Sequence, residues 1–118
     1  MPGLRTFPRR ERLTKQSEFR EVYGQGRKAV GRNFVCYFAR REGQGRKFGM
    51  AVSRKVGGAV TRNRVKRYLR EIYRACREDL QDDMTIVVVA RPAASTLSFA
   101  ECEEALGRLF RAGGALRE

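Results

Sequence analysis

The residues best suited to chemistry are the arginines and lysines that crowd residues 61–77. This segment holds seven basic residues and one acid, namely Arg62, Arg64, Lys66, Arg67, Arg70, Arg74, Arg77 and Glu71. On a helix, Lys66, Arg70 and Arg74 stand one turn apart, and like charges at that spacing destabilise a helix in water. A solvated face is the alternative interpretation, but such a face normally mixes both signs of charge. Phosphates would turn this repulsion into attraction, so the pattern predicts contact with nucleic acid.

The start of this segment adds a second anion-binding feature. Free backbone N–H groups and the helix dipole favour an anion at a helix N-terminus, where Thr61 is the expected cap. Arg62 and Arg64 oppose the dipole unless an anion joins them. The preceding loop contributes Ser53-Arg54-Lys55 and Gly57-Gly58. We therefore interpret residues 53–67 as one anion-binding unit.

Three aromatic residues form a second candidate surface. Phe19 and Tyr23 are one helical turn apart, and Tyr37 lies in a strand-like segment. If they face a common groove, they provide a platform on which unpaired bases can stack. Ordinary core packing is the alternative, and it applies to Phe19 more than to the two tyrosines, whose hydroxyl groups favour the surface.

The residue types that are missing restrict the chemistry further. The chain has no His, which excludes a His general base, a Ser-His-Asp triad and a His metal ligand. The three Cys are far apart without a CxxC pair, which is typical of a reducing cytoplasm. Asp82-Asp83 is a lone acidic pair beside a turn, and Glu101 is used in a helix cap. We therefore predict no metal site and no catalytic residue on this chain.

The overall composition favours a polyanionic partner. The 118 residues carry 26 Lys and Arg against 13 Asp and Glu, a net charge of +13, and 42% are hydrophobic, enough for one core. Residues 1–12, with two Pro and four Arg, predict a flexible basic arm before a single domain over residues 13–118. The N-terminus does not have the pattern of a signal peptide, and no apolar run is long enough to span a membrane. We expect a cytoplasmic protein with no membrane partner.

Hydrophobic periodicity predicts the elements of the first half. Phe19, Val22 and Tyr23 indicate a short helix that ends near Gly24 and Gly26. Residues 27–41 predict a strand broken at Gly31, with Phe34, Cys36 and Phe38 on one face and Val35, Tyr37 and Ala39 on the other. Residues 48–53 predict a further strand that forms a hairpin with it.

The second half contains two helices and a buried strand. A helix over residues 61–78 has a core-facing stripe of Val65, Leu69, Ile72 and Cys76. Residues 85–90 are apolar on both faces, which predicts an interior strand parallel to a neighbour. Ser98 and Glu101 form a capping box for the last helix, which ends at Gly113-Gly114. This order predicts a small α+β or α/β sandwich.

These segments resemble the bacterial ribonuclease P protein subunit along nearly the whole chain. The first helix is similar from Arg12-Leu13 through Glu18-Phe19 and Val22-Tyr23 to Gly26, and the next strand is similar over residues 34–37. The most specific block is residues 49–55 followed by Arg62-Asn63-Arg64-Val65-Lys66-Arg67. A short basic run alone would be weak evidence, but its context makes it specific.

The resemblance implies a fold. It is an α+β two-layer sandwich in αβββαβα order, like the second domain of ribosomal protein S5. It includes a left-handed β-α-β crossover around the Arg-rich helix, which general handedness rules would not predict.

The resemblance also implies a function. The catalytic RNA subunit of ribonuclease P removes the 5′ leader from precursor tRNA, and Mg²⁺ in the holoenzyme is held mainly by that RNA. The implied partners are the catalytic RNA and precursor tRNA, with one protein monomer per RNA. By similarity, the residues that bind the catalytic RNA are Arg54, Lys55, Arg62, Asn63, Arg64, Lys66, Arg67 and Arg70. Those that bind the leader are Phe19, Tyr23, Tyr37 and Ser53.

Three other functions fit parts of the pattern. A ribosomal-type RNA-binding protein would need the basic helix but not Tyr23 and Tyr37. A helix-turn-helix DNA-binding protein would need two helices joined by a tight turn, whereas strand-like segments flank the basic helix. A nuclease that acts without RNA would need catalytic groups that we do not find in this sequence.

Overall fold

The structure, a computed structural model, describes residues 7–117. Its helices and strands follow the αβββαβα order that the resemblance implies. They are α1 (Gln16–Gln25), β1 (Arg27–Val30), β2 (Phe34–Arg40), β3 (Lys47–Ala51), α2 (Ala59–Cys76), β4 (Met84–Ala90) and α3 (Phe99–Ala112). Among the residues described, no helix has the length and apolar character needed to cross a membrane.

The four strands form one sheet in the order β1-β2-β4-β3. β4 pairs antiparallel with β2 and parallel with β3, so that Ile86 lies between Phe38 and Phe48. The predicted hairpin between the second and third strands is therefore wrong, because β4 is inserted between them. The physical reason is that β4 is apolar on both faces and is most stable in the interior, with a neighbour on each edge. Its predicted parallel pairing is confirmed.

The sheet has helices on both faces. On one side, Phe34, Cys36 and Phe38 of β2 join the main core with side chains of α2 and α3, including Leu69 and Phe110. On the other side, Val22 of α1 packs with Leu13, Ala39 and Val87 in a smaller cluster. The predicted alternation of side chains along β2 is confirmed. As a result, α1 and α2 lie against opposite faces of the sheet.

Helix α2 begins earlier than its sequence pattern predicts. Its N-cap is Gly58, and no side chain caps it, so the prediction that Thr61 caps the helix is wrong. Tyr73 is fully buried, whereas Cys76 is only partly buried at the edge of the predicted stripe. Tyr73 is buried because residues near the N-terminus cover it.

Those covering residues, 7–13, form what we call the N-terminal strap. Phe7 packs edge-on against Phe48 and Tyr73, with ring centroids 5.9 and 5.1 Å apart. Arg12 pairs with Phe48 at the open edge of β3, and the Leu13 amide donates to the Phe48 carbonyl at 3.0 Å.

Part of the segment that the sequence predicts to be a flexible arm is packed in the structure. Residues 1–6 of that arm lie outside the described residues, but residues 7–12 pack on the domain. Glu11, within this segment, is only 4% exposed. The pattern did not indicate this packing because a single aromatic anchor, Phe7, has no hydrophobic periodicity.

Candidate nucleic-acid interface

The outward side of α2 carries the cationic surface that its sequence predicts. Asn63 and Arg67 are exposed, and Lys66 and Arg70 are partly exposed on the flank nearer to β3. The hydrophobic stripe positions these side chains, because burying Val65 and Leu69 turns the opposite side of the helix to solvent. The predicted spacing of charge along this face is therefore present in the folded chain.

Most of this charge has no acidic partner within the described residues. Arg74 lies 3.5 Å from Glu71 in an exposed pair, and Arg77 pairs with Glu11. No carboxylate of the described range lies within 4.0 Å of Lys66, Arg67 or Arg70. Uncompensated cations on one face create a positive potential that attracts a polyanion.

Arg62 and Arg64 are less available than the other predicted contacts. The Arg64 Nη2 donates to the backbone carbonyl of Ser95, which ties α2 to the turn at Pro92–Thr96. The Arg62 Nε is buried without a hydrogen-bond partner among the described residues. Arg64 thus has a structural contact that its sequence position did not reveal.

The loop before α2 keeps its basic residues in solvent. Ser53, Arg54 and Lys55 are exposed, and the Lys55 amide donates to the Ser53 Oγ at 3.3 Å. Val56 is buried and holds the loop against the core. The first turn of α2 has no side-chain cap, so its N–H groups remain available to an anion.

The three predicted aromatic residues lie together on the α1 side of the sheet. The Tyr23 and Tyr37 rings meet edge-to-face at 4.7 Å, and Phe19 lies 6.3 Å from Tyr23. Tyr23 is 39% exposed, while Phe19 is closely packed against Gly49, where an added Cβ would lie 2.8 Å from the ring. Partial burial and the neighbouring Tyr37 raise the pKa of Tyr23, so its hydroxyl stays protonated near neutral pH. The tyrosines are the better stacking surface.

A partly exposed surface, which we call the aromatic groove, runs from these aromatic residues to the basic loop. Beyond the part of the sheet that α1 covers, Val35, Val89 and Ala51 form one partly exposed row across β2, β4 and β3. Ser53 follows the end of that row. Lys28, which the sequence analysis missed, is exposed directly opposite Tyr37 on β1. The alternation of strand residues could have indicated it, because Lys28 and Tyr37 become same-face neighbours once the register is known.

The acidic pair Asp82-Asp83 has a structural role. Asp82 accepts hydrogen bonds from Arg46 and Arg117, at 3.0 and 2.9 Å. Asp83 accepts one from the Gly45 amide, and backbone hydrogen bonds in this turn lower its pKa. Within residues 7–117 there is no group of three or more His, Cys, Asp or Glu that could hold a metal ion.

The cysteines are poor nucleophiles. Burial raises the pKa of Cys36 to about 12, and burial with nearby acidic groups raises the pKa of Cys76 and Cys102 to about 11. The thiolate is the reactive form, so these thiols are unreactive near neutral pH.

Comparison with known proteins shows the family to which the chain belongs. The family model described as Ribonuclease P matches residues 7–113. The chain belongs to the ribonuclease P protein family. It is 37% identical over 119 residues to the ribonuclease P protein component of Dictyoglomus thermophilum, covering 98% of each chain. It is 38% identical over 104 residues to that of Bacillus pumilus, covering 87% of each.

Solved structures of this family have the same fold. The Staphylococcus aureus ribonuclease P protein superposes with a TM-score of 0.85 at 26% identity, covering 91% of this chain and 98% of that one. The Thermotoga maritima protein has a TM-score of 0.75 at 30% identity, covering 86% and 96%. The chain is therefore a protein component of ribonuclease P, an endoribonuclease that matures the 5′ end of tRNA, and it works in a ribonucleoprotein.

Proposed function

We propose that this chain binds the catalytic RNA of ribonuclease P through α2 and its preceding loop, and the 5′ leader of precursor tRNA in the aromatic groove. The observation that supports this most directly is the arrangement of the two surfaces. The uncompensated cations of α2 and the pair Tyr23–Tyr37 lie on opposite faces of one sheet, and the loop of Ser53–Lys55 lies where the groove ends. One molecule can thus contact folded RNA and a single strand together.

The chain contributes charge neutralisation and positioning. Arginines bind phosphates in a bidentate manner, and aromatic rings stack on unpaired bases without regard to sequence. Holding the leader beside the catalytic RNA raises the effective concentration of the scissile bond. Mg²⁺ held by the RNA would supply the metal-ion chemistry of the cleavage, by activating water and stabilising the leaving oxygen. We assign no metal ligand to this chain, and we propose one protein for each RNA.

Reconstitution tests the assignment. The full chain is added to a bacterial ribonuclease P RNA at low magnesium, and leader removal from precursor tRNA is measured. We expect the protein to accelerate cleavage, because its cations replace part of the charge screening that magnesium supplies to the RNA alone. An RNA whose cleavage rate is unchanged by the protein would refute the proposal, as would cleavage by the protein without RNA.

The affinity of the complex for precursor and mature tRNA tests the leader groove separately. We expect the reconstituted complex to bind precursor tRNA more tightly, since only the precursor has a strand that can occupy the groove. Equal affinities would instead favour a general RNA-binding protein without a leader site.

A further inference from the structure

The N-terminal strap presents a charged surface outside the two sites described above. Arg9, Arg10 and Arg12 are exposed, whereas Glu11 is 4% exposed. Within residues 7–117, no carboxylate lies within 4.0 Å of these three guanidinium groups. Because its acid is turned inward, the outer surface of the strap carries positive charge only.

Buried polar contacts hold the strap in one position. The Glu11 carboxylate accepts hydrogen bonds from the Tyr73 hydroxyl at 2.6 Å and the Arg77 Nε at 3.0 Å, and the Arg77 Nη2 also donates to it. The Glu11 side chain is only 6% exposed and that of Arg77 20%. Glu11 and Arg77 form a bidentate ion pair with little solvent around it, and Tyr73 adds a third hydrogen bond. Removing one partner of such a pair is strongly destabilising, because it leaves a buried charge without a partner.

The position of the strap is beside the cationic flank of α2. At about 100° per residue, Lys66 and Arg70 lie within about 60° of Tyr73 around the helix axis. Tyr73 contacts Phe7 and Glu11, so the strap lies on the same side of α2 as Lys66 and Arg70. The arginines of the strap therefore extend the surface that the proposed function gives to the catalytic RNA.

We propose that the N-terminal strap is a second RNA-binding element, in which Arg9 and Arg10 contact phosphates of the catalytic RNA and Glu11 is a positioning residue. This inference rests on the proposed function of α2. A segment that is already fixed loses less conformational entropy on binding than a flexible arm does, so each of its arginines contributes more to affinity. Internal pairing of Glu11 also keeps a carboxylate away from the phosphates.

Salt dependence of binding tests the contacts. Three double variants are compared with the unaltered chain for binding to a bacterial ribonuclease P RNA between 50 and 200 mM salt. They are Arg9→Ala with Arg10→Ala in the strap, Arg67→Ala with Arg70→Ala in α2, and Arg108→Ala with Arg111→Ala on the exposed side of α3. Raising the salt from 50 to 200 mM weakens RNA binding. For a variant that has lost two phosphate contacts, this weakening is about tenfold smaller than for the unaltered chain. We expect that reduction for the strap and α2 variants, and none for the α3 variant.

The outcomes separate the two proposals. If the α2 variant loses salt dependence and the strap variant behaves like the α3 control, the strap is not an RNA-binding element, while the function of α2 stands. If neither the strap nor the α2 variant differs from the α3 control, the RNA surface proposed for α2 is also wrong.

Glu11→Gln tests the positioning role of Glu11, because this role and the change in net charge predict opposite effects on RNA affinity. Glu11→Gln raises the net charge by one, so a purely electrostatic surface would bind RNA more tightly. We expect weaker binding, because the strap loses its anchor. Tyr73→Phe removes one hydrogen bond at constant charge and is the second variant if Glu11→Gln does not fold.

Each of these changes is also combined with the strap double variant. We expect little further loss of affinity in the combined variants. Without Arg9 and Arg10 the strap no longer contacts phosphates, so losing its anchor at Glu11 has no further effect on RNA binding. Tighter binding by Glu11→Gln, unaltered binding by Tyr73→Phe, or additive losses in the combined variants would overturn the positioning role.

Discussion

The arginines of this chain differ in what their guanidinium groups contact. Arg77 is paired with buried Glu11, Arg64 donates to the Ser95 carbonyl, and Arg67 has no carboxylate in reach among the described residues. A charge with no internal partner is available to RNA, whereas a tied guanidinium stabilises the fold. At the scale of the residue, RNA binding is therefore expected to depend on Arg67 more than on Arg77.

Tyr37 gives a prediction about the leader groove. Tyr37→Ala is expected to weaken precursor tRNA binding to the reconstituted complex by about 1–3 kcal/mol, the usual contribution of one stacked base. Tyr37→Phe keeps the ring and is the matched control, which we expect to bind normally. The measurement is the affinity of each complex for precursor and for mature tRNA. An equal loss for both tRNAs would show that Tyr37 does not contact the leader.

Glu11 gives a prediction about pH. Burial alone would raise its pKa, but hydrogen bonds from Arg77 and Tyr73 outweigh this and lower it below the ordinary 4.5. A carboxylate with a lowered folded-state pKa stabilises the fold above its unfolded pKa, and this contribution is lost as the pH falls through the folded pKa. The free energy of unfolding of the unaltered chain relative to Glu11→Gln is therefore expected to be largest near neutral pH and to shrink below about pH 4.5.

Denaturant unfolding at several pH values measures this difference. Glu104→Gln is the control, since its ion pair with Arg108 on α3 is exposed and such pairs contribute little. A difference between Glu11→Gln and the unaltered chain that stayed constant from pH 7 to pH 3 would contradict the proposed network.

At the scale of the element, Gly107 and Gly113 of α3 differ in how much space surrounds them. Gly107 is inside α3 with no atom within 4 Å of where a Cβ would lie. Gly113 is the C-cap, and a Cβ there would lie 2.2 Å from the Phe38 ring. The end of α3 therefore lies so close to β2 that only glycine fits, whereas the middle of the helix has no such limit.

These glycines predict stability changes of opposite sign. Gly107→Ala is expected to stabilise the protein by about 0.5–1 kcal/mol, because alanine is the better helix former. Gly113→Ala is expected to destabilise it by about 1–3 kcal/mol, because the Phe38 ring must move within a packed core. Thermal unfolding measures both changes, and stabilisation by Gly113→Ala would show that α3 packs less closely on β2 than described.

At the scale of the whole molecule, the fold keeps the cations that give the net charge of +13 at its surface and away from the core. The larger core lies between the sheet and two helices, and α2 turns its unpaired cations outward from it. The aromatic groove lies on the other face. Under the proposed function, this separation lets one small domain contact the catalytic RNA on one face and the leader on the other.

The charge distribution predicts how salt affects binding. If Arg54, Lys55, Arg62, Lys66, Arg67 and Arg70 each contact one phosphate, the logarithm of the affinity should fall with the logarithm of salt with a slope of about −5 on duplex RNA or about −4 on single strands. Strap contacts would make the slope steeper. A slope near zero, measured with the unaltered chain and a bacterial ribonuclease P RNA, would exclude phosphate contacts as the main source of affinity.

The sequence by itself determined features that depend on neighbouring residues. The spacing of Val65, Leu69 and Ile72 predicts both the helix and which side of it carries charge. Ser98 and Glu101 predict the start of α3, and their reciprocal hydrogen bonds confirm it. The β-branched run of β4 predicts an interior strand. In each case a local period, a cap or a continuous apolar run contains the whole signal, because the residues that carry it belong to one element.

Only the tertiary structure decided which distant residues meet. The insertion of β4 between β2 and β3 and the tie from Arg64 to Ser95 each join residues far apart in the chain. The burial of Glu11 against Tyr73 and Arg77 is of the same kind. From the sequence alone, a carboxylate in an arginine-rich segment is expected to be exposed to solvent. The partners that bury Glu11 are more than sixty residues away in the chain. Such contacts depend on how whole helices and strands pack against one another, and local sequence patterns do not determine that packing.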